Sequence, residues 1–154
     1  MSESISTSIA KAFERTFSTI QIANGYLTNS GLHVYRGFYA HALQAKNVQF
    51  PLVAIQPDTE GVDSVSGTGR EFKITETVRI VVVTDDVVIP ADILRDCLHD
   101  IRRALALNWD AEKGQLPGVR APQCGLAEFA IAADSPHTLA AFPVGITFTE
   151  KHEA

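Results

Sequence analysis

The residues whose types and spacing could do chemistry are Asp92, Asp96, His99 and Asp100. On a helix, separations of three and four place them at neighbouring positions, where carboxylates and an imidazole could share a cation or pass a proton. Arg95, Arg102 and Arg103 are interleaved with them. Mixed charge of this kind reads as a solvated, salt-bridged face or a subunit contact. Ser66-Gly67-Thr68-Gly69-Arg70 has the small residues of a phosphate-cradling loop. It lacks the Lys-Ser/Thr ending of a P-loop and leads into no helix N-terminus, so it reads as a flexible loop. His33, His41, His99, His137 and His152 never fall within one helical turn of each other, and no HxH or HExxH occurs. Cys97 and Cys124 form no CxxC and have no neighbouring base in the sequence. Zinc and an activated thiolate are therefore unsupported. No serine stands in a GxSxG context, and Asp85-Asp86 at a strand end reads as a turn. The expectation is a non-enzymatic chain with no catalytic residue, metal or cofactor.

The elements that must position these residues come from one domain spanning 1–154, long enough to bury a sizeable core. Hydrophobic residues are 45% and charged residues 20%, which is ordinary for a globular fold. The net charge of −5 is unevenly spread, with ten acids against four bases in residues 58–100. An acidic chain without a basic stripe is poorly built to grip nucleic acid. Two cysteines in no framework suit free thiols in a reducing compartment, with Cys97 on the buried side of a helix and Cys124 in or near a loop. Glu3 and polar Ser/Thr interrupt the N-terminus where a signal peptide needs an apolar stretch. The longest aliphatic run, residues 80–83, is far too short for a membrane span. These features predict a soluble protein, cytoplasmic when made, with no membrane partner.

Ile5, Ile9, Phe13, Phe17 and Ile20 recur at helical spacing and predict an amphipathic helix over 3–22, stopped by Asn24-Gly25. A short strand is expected at 32–36, a polar connection over 38–49 and a Pro-bounded strand over 50–57. Residues 58–69 (DTEGVDSVSGTG) read as a long exposed loop or hairpin tip. The alternation in 71–84 predicts the strongest strand, with Glu76 interrupting its apolar face. Pro90 opens a helix predicted over 90–107, with Trp109 just past its end and a loop over 108–123. Residues 126–133 and 139–149 read as an antiparallel hairpin turning at Asp134-Ser135-Pro136-His137. The expected order is α-β-β-β-α-β-β. The fold class that follows is α+β, with a mixed, mainly antiparallel sheet and two helices packed on one face.

One segment carries more than composition. Residues 24–37, NGYLTNSGLHVYRG, follow a helix of this length. The chain then continues through Pro51-Leu52-Val53-Ala54-Ile55, a long polar stretch, a strand containing 78–82 (VRIVV), a helix with charged pairs and a closing hairpin. In order and length the chain resembles the tail terminator (tail completion) proteins of long-tailed bacteriophages. The resemblance implies a structural virion protein of the tail or neck, assembled in the host bacterial cytoplasm. Such a protein forms a homo-oligomeric, hexameric ring on the last ring of the tail tube, stops tube polymerisation and offers a face to the head completion or connector protein. Genomic DNA passes through the lumen without specific binding, and an acidic surplus suits that passage. The contact surfaces it suggests are the 58–70 segment, with Asp58, Glu60, Asp63 and Arg70, and the charged side of the second helix, with Asp92, Asp96 and Arg103. Trp109, and Tyr35 with Arg36, are further contact candidates, because aromatics and Arg are enriched where surfaces bind, although Trp109 could as easily fold back over the second helix. Another head–tail connector or neck protein is the nearest alternative. A small ligand-binding or enzymatic α+β domain is the more distant one.

Overall fold

The computed structural model describes residues 3–132 and 136–153. Helix α1 is Ile5–Ser18, with Ser4 Oγ accepting the Thr7 N–H at 3.1 Å, so that one free amide of the first turn is satisfied. It buries Ile9, Ala12, Phe13 and Phe17. The helix ends short of the expected residue 22, because the chain turns back on itself. Gly25 adopts φ 89°, and the Gly31 N–H donates to the Ile20 carbonyl at 2.8 Å. Strand β1, Val34–Arg36, then pairs parallel with β2, Leu52–Val65. A short helix α2, Tyr39–Ala42, lies within the connection expected to be irregular.

The main departure from the sequence reading concerns residues 58–69. Residues 58–65 continue strand β2, paired in antiparallel register with β3, Glu71–Thr84. The turn is confined to 66–70, where Gly69 has φ 73°. Backbone pairing needs no apolar side chains, so a polar segment can be a strand when its partner is strong. The register slips at Asp58 and at Asp63, each an extra residue opposite β3. Bulges with charged residues are common devices on exposed strand edges.

Helix α3 runs Pro90–Lys113, 24 residues, well beyond the expected end. Trp109 therefore lies within the helix rather than after it. Strands β4 (Gln123–Cys124) and β5 (Glu128–Ile131) both pair with β6, Thr138–Lys151. The expected hairpin between β5 and β6 is present, although Asp134 and Ser135 of its turn lie outside the described residues.

Among the described residues six strands form one mixed sheet, ordered β1-β2-β3-β6-β4 with β5 also on β6, and only the β1–β2 pair is parallel. The two long helices pack on one face, where Phe13, Phe17, Leu94, Ile101, Ile80 and Phe148 meet in the main core. Contacts place α1 over β1 and β2, and α3 over β3 and β6. The opposite face is covered at one end only, where Ala42 and the residues around α2 close over Leu52, Ala54, Val81, Val83 and Ala141. The fold is α+β with a mixed, mostly antiparallel sheet, as the sequence predicts.

Candidate functional site

The acid–histidine group on α3 separates into two parts with different jobs. Asp92, Asp96 and His99 are exposed, and Asp92 pairs with Arg95 at 3.1 Å one turn along the same helix. Asp100 was expected on this solvated face but is 0% exposed. Its Oδ1 accepts the Leu27 N–H at 3.1 Å, and its Oδ2 accepts the Thr28 N–H and the Thr28 hydroxyl, each at 2.8 Å. The carboxyl ties the 26–30 turn onto the middle of α3. Cys97, one turn earlier, is also buried, and burial pushes its thiol up to about 12, with Asp100 and Asp96 adding to the shift against the Thr28 and Ser30 hydroxyls. A thiol held protonated in this way is no nucleophile at neutral pH.

The same turn explains why NGYLTNSGLHVYRG stands out. A Cβ on Gly31 would lie 2.5 Å from the Phe17 carbonyl oxygen, 2.6 Å from the Ile20 carbonyl oxygen and 2.8 Å from the Ile20 nitrogen. Only glycine permits that approach of backbone to backbone. Arg103 is exposed, donates to the Gly25 carbonyl at 3.0 Å and lies over the Tyr26 ring at 5.3 Å. The segment is a clasp joining α1, β1 and α3, and Arg103 is part of it.

The remaining chemical candidates resolve as turns. Ser66-Gly67-Thr68-Gly69-Arg70 closes the β2–β3 hairpin, with Ser66 Oγ accepting the Glu71 N–H at 3.2 Å. Asp86 Oδ1 accepts the N–H groups of Val88 and Ile89 at 2.9 and 2.8 Å, just ahead of α3. Among the described residues no three metal-ligating side chains gather. Both cysteines are free; Cys124 is exposed on β4, and packing around its sulfur raises the thiol against the pull of Arg102. No described helix is long and apolar enough to cross a membrane.

The residues expected at contacts are brought together only in part. Asp58, Glu60 and Asp63 line the outer half of β2, solvated on both faces, and Arg70 follows the turn at its tip. Thr75 Oγ1 donates to Asp63 Oδ2 at 2.5 Å. Glu60 stands opposite Glu76, a buried carboxyl that accepts the Ser6 hydroxyl on both oxygens at 2.8 Å. Burial raises the Glu76 carboxyl, Ser6 pulls it back and Glu60 raises it further. Asp92 and Asp96 lie on α3, which packs over β3 and β6, and not on β2. Trp109 is corrected from surface to core, being 5% exposed and stacked on Phe13 with ring centroids 5.1 Å apart. Tyr35 stays exposed, while Arg36 pairs with Glu14 at 2.9 Å.

Sequence reasoning passed over two features of this surface. Val62 and Val65 are 55% and 52% exposed on the arm. Their spacing across a bulge, opposite Ile74 and Phe72, places both on the helix side of the sheet, a placement that only the pairing register reveals. At the other edge, Arg102, Leu105, Ala106, Trp109, Pro122 and Cys124 line, with Asp110 and Ala121, a groove of about 300 Å³ between α3 and β4. A larger open cleft, about 530 Å³, lies beside α2 and includes His33, His41 and Leu52. No protein-family model matches the chain, and comparison with curated proteins finds no match.

Proposed function

We propose that this chain is a structural assembly protein of the phage tail-terminator type. Its subunits close into a hexameric ring that caps the tail tube, stops its growth and joins it to the head completion or connector protein. The observation that carries the proposal is the outer half of β2. Beyond the three residues paired with β1, the strand has β3 on one side only, is solvated on both faces and exposes Val62 and Val65. An arm with an open edge and exposed apolar residues suits joining chains rather than turning over a substrate. The order of elements, which prompted the resemblance, supports the same reading.

In this reading the mechanism is assembly. A heterologous contact repeated through a closing rotation gives a ring, and the ring's faces then meet tube and head. The acidic surplus of the chain leaves DNA free to slide through the lumen. The protein sits in the virion neck and is assembled in the host cytoplasm.

The test is mass in solution by light scattering, with negative-stain imaging of the same sample alone and after addition of purified tail tubes. Rings with a central hole, seated at tube ends, are expected. A monomer that stays monomeric and ignores tubes overturns the proposal. That outcome transfers attention to the cleft beside α2 and a ligand-binding role.

A further inference from the structure

The clasp opens on the chain's only Asn-Gly pair, Asn24-Gly25. Such a pair can react with itself. The Gly25 backbone nitrogen attacks Asn24 Cγ, and its proton passes to solvent. The Cγ–Nδ2 bond then breaks, ammonia leaves, and the new Cγ–N bond closes a succinimide ring. Water opens the ring at either carbonyl. The product is aspartate or, with the main chain rerouted through the side chain, isoaspartate. The sum is asparagine plus water giving acid plus ammonia, and water is the sole co-reactant. Glycine makes this pair the reactive one, because no side chain shields its nitrogen. Asn29, Asn47 and Asn108 are followed instead by Ser30, Val48 and Trp109.

We propose that Asn24-Gly25 is a latent self-modification site, held inert by the closed clasp and converted when the clasp opens. Both residues are exposed, so burial does not protect them. Hydrogen bonding does. Asn24 ends a single 3-10 turn, Ile22–Asn24. The nucleophile is engaged, since the Gly25 N–H donates to the Ile22 carbonyl at 3.0 Å. The leaving group is engaged too, since Asn24 Nδ2 donates to the Thr19 carbonyl at 2.9 Å and ties the side chain to the end of α1. Arg103 holds the Gly25 carbonyl at 3.0 Å. Beyond the pair, Tyr26 is buried and Asp100 fixes the amides of Leu27 and Thr28. Ring closure must break the first two bonds and swing Asn24 Cγ onto the Gly25 nitrogen. The reaction therefore waits on opening of the turn, and its rate reports how often that happens.

The product does not fit the closed clasp. A carboxylate at position 24 has no proton to offer the Thr19 carbonyl. Its charge also lies beside the C-terminal end of α1, the negative end of the helix dipole. Isoaspartate further lengthens the main chain just ahead of the carbonyl that Arg103 holds. Conversion weakens the clasp, so one opening makes the next easier.

Peptide mapping by mass spectrometry tests this on the full-length protein, stored at neutral pH either folded or unfolded in guanidinium chloride. Asn47, exposed and followed by a β-branched residue, is the internal comparison. The unfolded chain is expected to convert Asn24 well ahead of Asn47. The folded chain is expected to convert Asn24 about tenfold more slowly than the unfolded one, or more slowly still. Asp100→Ala and, at an exposed site, Arg103→Ala loosen the clasp and are expected to speed conversion several-fold, with urea midpoints confirming that each is folded. Asn24→Asp, the product made directly, is expected to lower the urea midpoint and speed amide exchange at Gly25 and Gly31. Equal rates in folded and unfolded wild type overturn the proposal, as does a wild-type rate in every variant that folds. An Asn24→Asp chain with wild-type midpoint and exchange overturns the claim that the product loosens the clasp.

Discussion

Replacing Asp100 tests whether one buried carboxyl holds the clasp segment to the second long helix. The side chain is 0% exposed and accepts three hydrogen bonds from Leu27 and Thr28, at 3.1, 2.8 and 2.8 Å. In Asp100→Asn the amide oxygen can keep the two donors of Thr28, and the amide NH₂ must then face the Leu27 N–H. One bond is lost and two donors confront each other, a cost of about 1–2 kcal/mol. In Asp100→Ala all three donors lose their acceptor. At about 0.5–1.5 kcal/mol for each bond, the loss is about 2–4 kcal/mol, reduced wherever water reaches the Leu27 amide. Urea unfolding followed through the single tryptophan, Trp109, measures both. Asp96→Asn, at an exposed site one turn away, is the control and should lie within about 0.5 kcal/mol of wild type. Amide hydrogen exchange adds a local readout, with Leu27 and Thr28 exchanging faster in both Asp100 variants. If Asp100→Ala falls within about 0.5 kcal/mol of wild type, the carboxyl is not the tie described here.

Three further outcomes follow from the same geometry. Gly31→Ala places a methyl group 2.5–2.8 Å from backbone atoms of Phe17 and Ile20, so overpacking by about 1–3 kcal/mol is expected, and an unchanged urea midpoint would contradict it. Phe17→Ala empties a fully buried ring site beside Phe13 and should cost about 3–5 kcal/mol; a near-neutral result would mean that this stripe of α1 is not core. Glu76 has its carboxyl raised by burial. The folded state therefore holds that proton more tightly than the unfolded chain does, and the associated stability is present at acid pH and is lost as pH rises through the folded value. Glu76→Gln should then gain stability relative to wild type between pH 4 and pH 7, and a gap that stays constant or shrinks across that range would refute the assignment.

What the sequence could reveal depended on how each residue's role was encoded. Helical spacing in α1 and alternation in β3 are local signals, and both elements lie where those periods place them. The outer half of β2 has no such signal, because its side chains face water on both sides and only its partner makes it a strand. With the helix cut at 107, Trp109 reads equally as a surface contact or as folding back over the helix, but four residues past Leu105 it continues the same apolar stripe. Asp100 shows the same rule from the polar side. It lies between Cys97 and Ala104, at separations of three and four, on the face that packs inward. A carboxylate at such a position must find donors. Its neighbours on the helix supply none, so they had to come from elsewhere in the chain. They come from Leu27 and Thr28, and the pattern TNSG that marks the turn in the sequence is the other half of that contact. The Gly-bounded turn was legible in the sequence, whereas the charge of the acid placed it with the solvated face although its spacing to Cys97 and Ala104 points inward. The pairing of turn and acid across 72 and 73 residues was not legible, since nothing local to either segment encodes the other.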